Sequence, residues 1–522
     1  MPGFLVLKHS PRPPKLFVLL SSLTALGVMI PLVYLVLRAM QAEGADLREI
    51  VFRTRNLELL WNTLMLMVGT VTASTLIALP LAFLTTRTNF ALRKLGVFLG
   101  VLPLAVPGYV GAYALLAASG TDGMIEVLTG IHWPHPVGYW GALGVLTLFN
   151  FPYLFMNFWA TLRNLDPSLE EAARSLGRSP MQVFWQVTLP QLRPAWYAGS
   201  LMIALHVFGD FGVVSLMRFE TFSYAIYQQY NAAFDRVYAA WLSLMLLAVT
   251  ASTLWLEARL LSRLKLSRSG SGAARKAPTM ELGFWMWPAL LFVALVAGAT
   301  LIVPISSILF WLRQGIEQGV RDWGQVLWNS MQVALPASVI TTLLAIPPAY
   351  LGVRYPGFWT RLIERSAYFG YATPPLALAL ALVFFSLKAV PAIYQTLTLL
   401  IGAYVLHFLA EAIGPVRASL YQATPRLEEA ARSLGYNSMQ AFARVTFPLM
   451  RSGLLASLAL VFLSVLKELP ISFLLSPIGF ETLAKNVWAY TSEAMFADAA
   501  PYAITIVLVS GIFAALVLQE KK

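Results

Sequence analysis

The sequence predicts an all-α, polytopic membrane protein of about 12 transmembrane helices in two parallel six-helix repeats. Three observations carry that prediction. Of the 522 residues, 58% are hydrophobic and 12% charged, and many apolar runs exceed the ~18 residues that cross a hydrocarbon core as helix. A 25-residue polar segment occurs twice at a constant offset of 258 residues, with 16 positions identical. Basic residues gather in alternate loops, the positive-inside pattern of membrane proteins. Backbone groups in lipid must be bonded within their own segment, so the apolar runs are helices rather than open sheet.

Apolar length places the spans near 16–37, 62–86, 95–118, 139–160, 196–217, 237–257, 284–311, 329–353, 366–387, 394–414, 454–476 and 500–518. The first run is long for the apolar region of a cleaved signal, and no small-residue cleavage site follows it, so it counts as a span. Lys8, Arg12 and Lys15 precede it and set the N-terminus inside. Counting spans then places Arg87, Arg93, Lys94, both polar segments and the stretch 259–276 on that same side. The stretch carries Arg263, Lys265, Arg268, Arg275 and Lys276, and the terminal Lys521 and Lys522 also fall inside. This distribution accounts for the net charge of +12 without nucleic acid as a partner. The chain has no Cys, which excludes disulfides, thiolate metal sites and Cys nucleophiles.

The basic, Ser/Gly/Ala-rich stretch reads as a flexible linker. Residues 1–258 form the first repeat, 259–283 the linker and 284–522 the second repeat. The halves also match outside the polar segment. Trp61-Asn62 corresponds to Trp328-Asn329, Pro80 to Pro347, Arg87 to Arg354 and Pro107 to Pro374, all at an offset of 267. The second half has therefore lost nine residues before its polar segment, and loop 120–138 is the expected place.

The two segments read DPSLEEAARSLGRSPMQVFWQVTLP (166–190) and TPRLEEAARSLGYNSMQAFARVTFP (424–448). Asp166 and Thr424 are suited to cap a helix, with Pro167 and Pro425 at its first position. Glu170-Glu171 and Glu428-Glu429 suit the positive end of the helix dipole. Ala172-Ala173 and Ala430-Ala431 allow close approach. Gly177 and Gly435 end the helix by adopting a left-handed conformation. Ser179 to Gln182 and Asn437 to Gln440 form cap patterns of a second helix, which Pro190 and Pro448 are expected to close. The product is a helix–turn–helix on which Phe184, Trp185 and Phe442 read as apolar anchors for a partner's groove.

Glu-Ala-Ala, three residues, Gly, nine residues and a closing hydrophobic-x-Leu-Pro resemble the EAA motif of ABC importer permeases. The first copy fits as Glu171-Ala-Ala, Gly177, Val187, Leu189 and Pro190. The second fits as Glu429-Ala-Ala, Gly435, Val445 and Pro448, with Phe447 replacing Leu. The resemblance covers essentially the whole chain, as two fused permease domains of the type I importer fold. It implies that the motifs are coupling helices seated on two copies of an ABC ATPase subunit. Glu171 and Glu429 would touch the ATPase, and Gly177 and Gly435 would set the bend. A periplasmic solute-binding protein would deliver the substrate at a bacterial inner membrane. No Lys follows a Gly anywhere in the chain, so it has no G-x-x-x-x-G-K-[ST] loop. The chain itself is expected to bind no cofactor, with ATP and Mg on the partner ATPase, and to hold no catalytic residue and no metal.

Asp210-Phe-Gly-Val-Val-Ser after the first motif and Lys467-Glu-Leu-Pro after the second resemble fused ferric-iron permeases. Thiamine permeases, also fused, carry D-F-G-V-V as well, and its position in the first half here favours iron. Asp210 and Glu468 lie at equivalent positions inside spans. An intramembrane carboxylate is costly and marks function by default. Two readings stand: the pair lines a cation pathway, or each carboxylate caps a helix break near Gly209, Gly212 or Pro470. His132 and His135 read as an interface turn rather than a metal site, which needs more ligands, and His206 and His407 as packed span residues. Phe219-Glu-Thr and Phe480-Glu-Thr read either as a contact for the binding protein or as plain helix-to-loop transitions. A secondary transporter also uses repeats and buried carboxylates, but has no need of the paired polar motif. A membrane enzyme lacks a nucleophile–base set here.

Overall fold

A computed structural model describes residues 13–41, 52–233, 235–262, 279–318 and 322–519. Nearly all regular structure in them is helical, and the one β-bridge joins Thr88 to Met280. Eight of the 12 expected spans are helices long and apolar enough to cross a membrane: Lys15–Ala39, Thr54–Arg87, Gly138–Asn164, Arg236–Ser262, Gly283–Gln314, Trp323–Arg354, Leu397–Gln422 and Phe496–Phe513. Three bent helix pairs raise the number to as many as 11.

The four expected spans that are not continuous occupy the same places in the two repeats. Spans 95–118 and 366–387 bend by 99° and 106°. The cause is local: Val106 and Thr373 precede Pro107 and Pro374 and take extended backbone, at ψ 120° and 124°. A proline ring clashes with a helical residue before it. Spans 196–217 and 454–476 break at Asp210 and at Lys467 to Leu469, between Arg193–Gly209 and Gly212–Leu216 and between Arg451–Leu466 and Pro470–Leu475.

Three π turns, Phe184–Thr188, Gly298–Ile302 and Phe442–Thr446, each end two residues before a proline (Pro190, Pro304, Pro448). A proline has no N–H for the carbonyl four residues back and its ring crowds that oxygen. The helix widens around that carbonyl instead of stopping. Pro190 and Pro448 therefore do not close the second helix of the polar segments. Each lies inside a following turn, Leu189–Gln191 and Phe447–Leu449.

The compact units cross the repeat boundary. One comprises Met1–Glu43, Gly324–Leu483 and Ile512–Lys522; the other comprises Gly44–Trp323 and Ala484–Gly511. The first helix of the chain thus packs with the second repeat, against Phe358–Ala372 and Pro375–Ala389. The first span of the second half packs with the first repeat, where Trp311 Nε1 donates to Ala117 O at 2.7 Å. The linker residues 263–278, with their five basic side chains, lie outside the described residues, as do Lys8, Arg12, Lys521 and Lys522. Just past the linker, Met280 N donates to Arg87 O at 2.8 Å and Asn89 N to Met280 O at 2.9 Å. That short bridge pins the re-entering chain to the end of the Thr54–Arg87 helix.

The repeat motifs meet within each unit. Asn62 Nδ2 donates to Glu220 O, and Asn329 Nδ2 to Glu481 O, both at 3.0 Å. Next to them Phe222 N donates to Thr63 Oγ1 at 3.2 Å and Leu483 N to Ser330 Oγ at 2.9 Å. The Trp-Asn and Phe-Glu-Thr motifs are therefore two halves of one joint, in which a span residue satisfies the free N–H at the start of helix Phe222–Asn231 or Leu483–Ser492.

Candidate functional site

Both polar segments fold as a helix, a left-handed glycine and a second helix. The first helices are Ser168–Ser175 and Pro425–Ser433. Gly177 and Gly435 take φ of 79° and 91°, a conformation that costs an L side chain about 1–2 kcal/mol. Complete capping boxes start the second helices at Ser179–Gln182 and Asn437–Gln440. Asp166 Oδ1 accepts from Ser168 N at 3.0 Å, while Thr424 takes the cap position with no side-chain bond.

The paired glutamates have opposite roles. The first of each pair turns inward. Glu428 accepts from Tyr350 Oη at 2.8 Å and Thr446 Oγ1 at 2.6 Å, and pairs with Arg354 at 3.4 Å. Arg354 also donates to Ala423 O. Glu170 accepts from Thr188 Oγ1 at 2.9 Å and pairs with Arg87 at 3.5 Å. Each bond set ties three stretches together: the last turn of a long span, the first helix of the segment and its π turn. The second glutamates, Glu171 and Glu429, are exposed, as are Ala172 and Ala430, Gly177 and Gly435. Ala173 is half-buried and Ala431 buried.

Phe442 is buried and Phe184 half-buried, and each packs on its own long helix. Phe184 meets Phe83, and Phe442 meets Tyr350, in edge-to-face pairs with centroids 5.3 Å apart. Such pairs add about 0.5–1.5 kcal/mol beyond area burial, so these rings hold the segment to its span. The outward apolar residues are others: Leu176 (83% exposed) and Leu434 (80%), with Met181, Trp185, Leu169, Leu427 and Met439. Only Trp185 was singled out as an anchor from sequence. The equivalent pair Leu176 and Leu434, each just before the turn glycine, carried the signal that was available.

Asp210 and Glu468 both serve helix starts. Asp210 Oδ1 accepts from Val213 N at 2.8 Å and Val214 N at 3.4 Å, and Glu468 Oε1 accepts from Ile471 N at 2.9 Å. Ser223 Oγ and Ser472 Oγ donate to the Asp210 and Glu468 carbonyls at 2.6 and 3.1 Å. Each carboxylate satisfies backbone donors that the span break exposes. Asp210→Ala is expected to cost about 1–2 kcal/mol, the usual loss for an N-cap. Asp210→Asn, which keeps the accepting oxygen, is expected to cost a few tenths of that. Thermal unfolding of the purified variants checks the ranking, and equal losses would remove the cap as the reason for Asp210.

Sequence reading passed over a second polar level. Tyr153 Oη lies 2.7 Å from His206 Nε2, and in the other repeat Ser464 Oγ donates to Glu411 Oε1 at 2.8 Å. Tyr153 and Glu411, like His206 and Ser464, are related by the same offset of 258. The shared offset was the signal; the change of residue type hid it. His407 Nδ1 lies 3.1 Å from Gly370 O, a packed span residue as expected. His132 Nδ1 sits 3.2 Å from Glu126 Oε1, and His135 Nδ1 3.2 Å from Ser119 Oγ, so the two imidazoles serve different partners.

Long apolar helices and two helical hairpins of equal build, each fixed to the end of one of them, define a polytopic membrane protein with a duplicated polar element. The chain belongs to the family of binding-protein-dependent transport system inner membrane components, which matches residues 74–266 and again 337–521. It is 34% identical over 506 residues to Fe(3+)-transport system permease protein FbpB 2 of Haemophilus influenzae, covering 96% of this chain and 97% of that one. It is also 22% identical over 418 residues to ferric transport system permease protein FbpB of Actinobacillus pleuropneumoniae (74% and 60% covered). Sulfate transport system permease protein CysW of Escherichia coli strain K12 is 27% identical over 252 residues, 46% of this chain and 85% of that one. The whole-length match fixes the fused arrangement, and the chain is a multi-pass membrane permease.

Proposed function

We propose that this chain is the fused transmembrane subunit of an ATP-binding-cassette importer for ferric iron in a bacterial inner membrane, with both termini cytoplasmic. A periplasmic binding protein delivers the substrate, and two copies of a separate ATPase, carrying ATP and Mg, seat on the two polar segments. The observation that supports this most is the split role of each glutamate pair. Glu170 and Glu428 anchor the hairpins to the ends of membrane helices, and Glu171, Glu429, Leu176 and Leu434 stand outward. A hairpin built this way passes a force from a docked subunit directly into a span. The 34% identity to a Fe(3+) permease over nearly the whole of both chains supports iron.

The test is uptake by proteoliposomes holding the complex purified through this chain, with the binding protein added outside. Uptake of ferric iron that needs internal ATP is the expected result. Uptake of thiamine in place of iron would move the substrate assignment. Uptake driven by an ion gradient with no co-purifying ATPase would replace the importer reading by a secondary transporter.

A further inference from the structure

Each polar segment hangs between two helices of its own repeat. In the first repeat the chain enters it from Gly138–Asn164 and leaves along Arg193–Gly209. In the second it enters from Leu397–Gln422 and leaves along Arg451–Leu466. Within each pair the two helices pack on one another. The leaving helix ends at the span break, at Asp210 in one repeat and at Lys467 to Leu469 in the other. A movement of the segment therefore reaches the break along this helix.

A side-chain link joins each pair at the same level. In the first repeat Tyr153 Oη and His206 Nε2 stand 2.7 Å apart. His206 Nδ1 lies 2.8 Å from Met202 O. A carbonyl only accepts, so Nδ1 carries the proton and Nε2 accepts from the tyrosine hydroxyl. In the second repeat Ser464 Oγ donates to Glu411 Oε1 at 2.8 Å. Lys467, one turn past Ser464 and so on the same side of its helix, adds the attraction of its charge to the hold on Glu411. Tyr153 and Glu411 each stand 11 residues before the end of the entering helix, and His206 and Ser464 each 13 residues after the start of the leaving one. At the rise of an α-helix, both links lie about 16–20 Å from the segment.

Between link and segment the helices of each pair are in close contact. A Cβ on Gly199 would stand 2.7 Å from the Leu154 side chain, and one on Gly453 2.4 Å from Ser419 Oγ. Ser457 Oγ also donates to Ala412 O at 3.3 Å. The two links differ in every residue, one neutral and one ionic, yet they cross equivalent helices at the same height. What the repeats share is the cross-link rather than the side chains that make it. We propose that the links are clasps. Tyr153 with His206, and Glu411 with Ser464 and Lys467, are positioning residues that make each polar segment and its two flanking helices one rigid arm. The arm delivers a movement of the segment to the span break, which without the clasp is partly lost as one helix slides on the other. This inference rests on the reading of the segments as seats of an ATPase.

The test is ferric iron taken up per ATP hydrolysed, in proteoliposomes holding the whole complex with the binding protein outside and ATP inside. Ser464→Ala removes one hydroxyl and adds no bulk. It is expected to keep ATPase co-purification and hydrolysis while uptake per ATP falls about 2- to 10-fold, the worth of one hydrogen bond. Glu411→Ala, which removes the charged half of the clasp, is expected to fall further. Glu411→Tyr combined with Ser464→His installs the pair of the other repeat and is expected to recover most of the ratio. Should that double variant fail to give a monodisperse complex, Ser464→Ala decides alone. An unchanged ratio in Ser464→Ala and Glu411→Ala would overturn the clasp alone, as would hydrolysis and uptake falling in parallel. Absence of ATP-dependent iron uptake in the wild type would overturn the importer reading and the clasp with it.

Discussion

Replacing Glu428 with alanine is expected to release the second polar segment from its span and to cost about 3–5 kcal/mol, the range for removing one partner of a buried ion pair. Both side chains of the Arg354–Glu428 pair are 9% exposed. The substitution leaves the guanidinium without its counter-charge and strands the hydroxyls of Tyr350 and Thr446, which have Glu428 as their acceptor. Glu170→Ala is expected to cost less, about 1–3 kcal/mol. Its carboxylate holds a single hydroxyl, at Thr188, and a longer ion pair, and it borders an open cavity. Glu428→Gln keeps an acceptor for the hydroxyls and is expected to fall between wild type and Glu428→Ala. Thermal unfolding in detergent of the three variants, with ATP-driven uptake alongside, checks the order. A loss in Glu170→Ala as large as that in Glu428→Ala would show that the difference between the two anchors is only apparent.

That asymmetry was not legible in the sequence, although most of the local structure was. Helix caps, the turn glycines and the proline breaks at Pro107 and Pro374 depend on residues within a few positions of one another, so the chain states them directly. The repeat offset then transfers each from one half to the other. Which way Phe184, Phe442 and the paired glutamates point depends on the span they meet, and an aromatic on a polar loop reads the same facing inward or outward. The placement of the first helix with the second repeat was equally hidden. Residues 15–39 are apolar on every side, as a membrane helix is, and a helix without a polar face carries no direction. Pro190 and Pro448 were misread because a proline ends a helix only when the turn before it cannot widen. Here a π turn takes up the strain in both copies. Asp210 and Glu468 each accept a backbone N–H at a span break, which is the geometry of the local reading, a helix cap.

Leu176→Asp combined with Leu434→Asp is expected to abolish ATP-driven uptake and to strip the ATPase from the purified complex, with the membrane fold intact. Both leucines are at least four-fifths exposed, so the permease alone gains a solvated carboxylate and loses no packing. They lie beside Gly177 and Gly435, at the same place on both hairpins, where the proposed ATPase would cover them. Burying a leucine there contributes about 1.5–3 kcal/mol, and a carboxylate forced into the same contact adds a desolvation cost. With ~1.4 kcal/mol per factor of ten, each site is expected to lose at least tenfold in affinity, and the two together at least a hundredfold. Leu176→Asp alone is expected to leave one ATPase docked and uptake impaired, because the second hairpin is untouched. Ile478→Asp serves as the control. Ile478 is 88% exposed but lies in the loop between helices Pro470–Leu475 and Leu483–Ser492, remote in sequence from both hairpins. ATPase co-purification is expected to be unchanged in it. If the double variant keeps its full complement of ATPase and its hydrolysis, the exposed leucines are not the docking surface. The force path through Glu170 and Glu428 would then need a different point of entry.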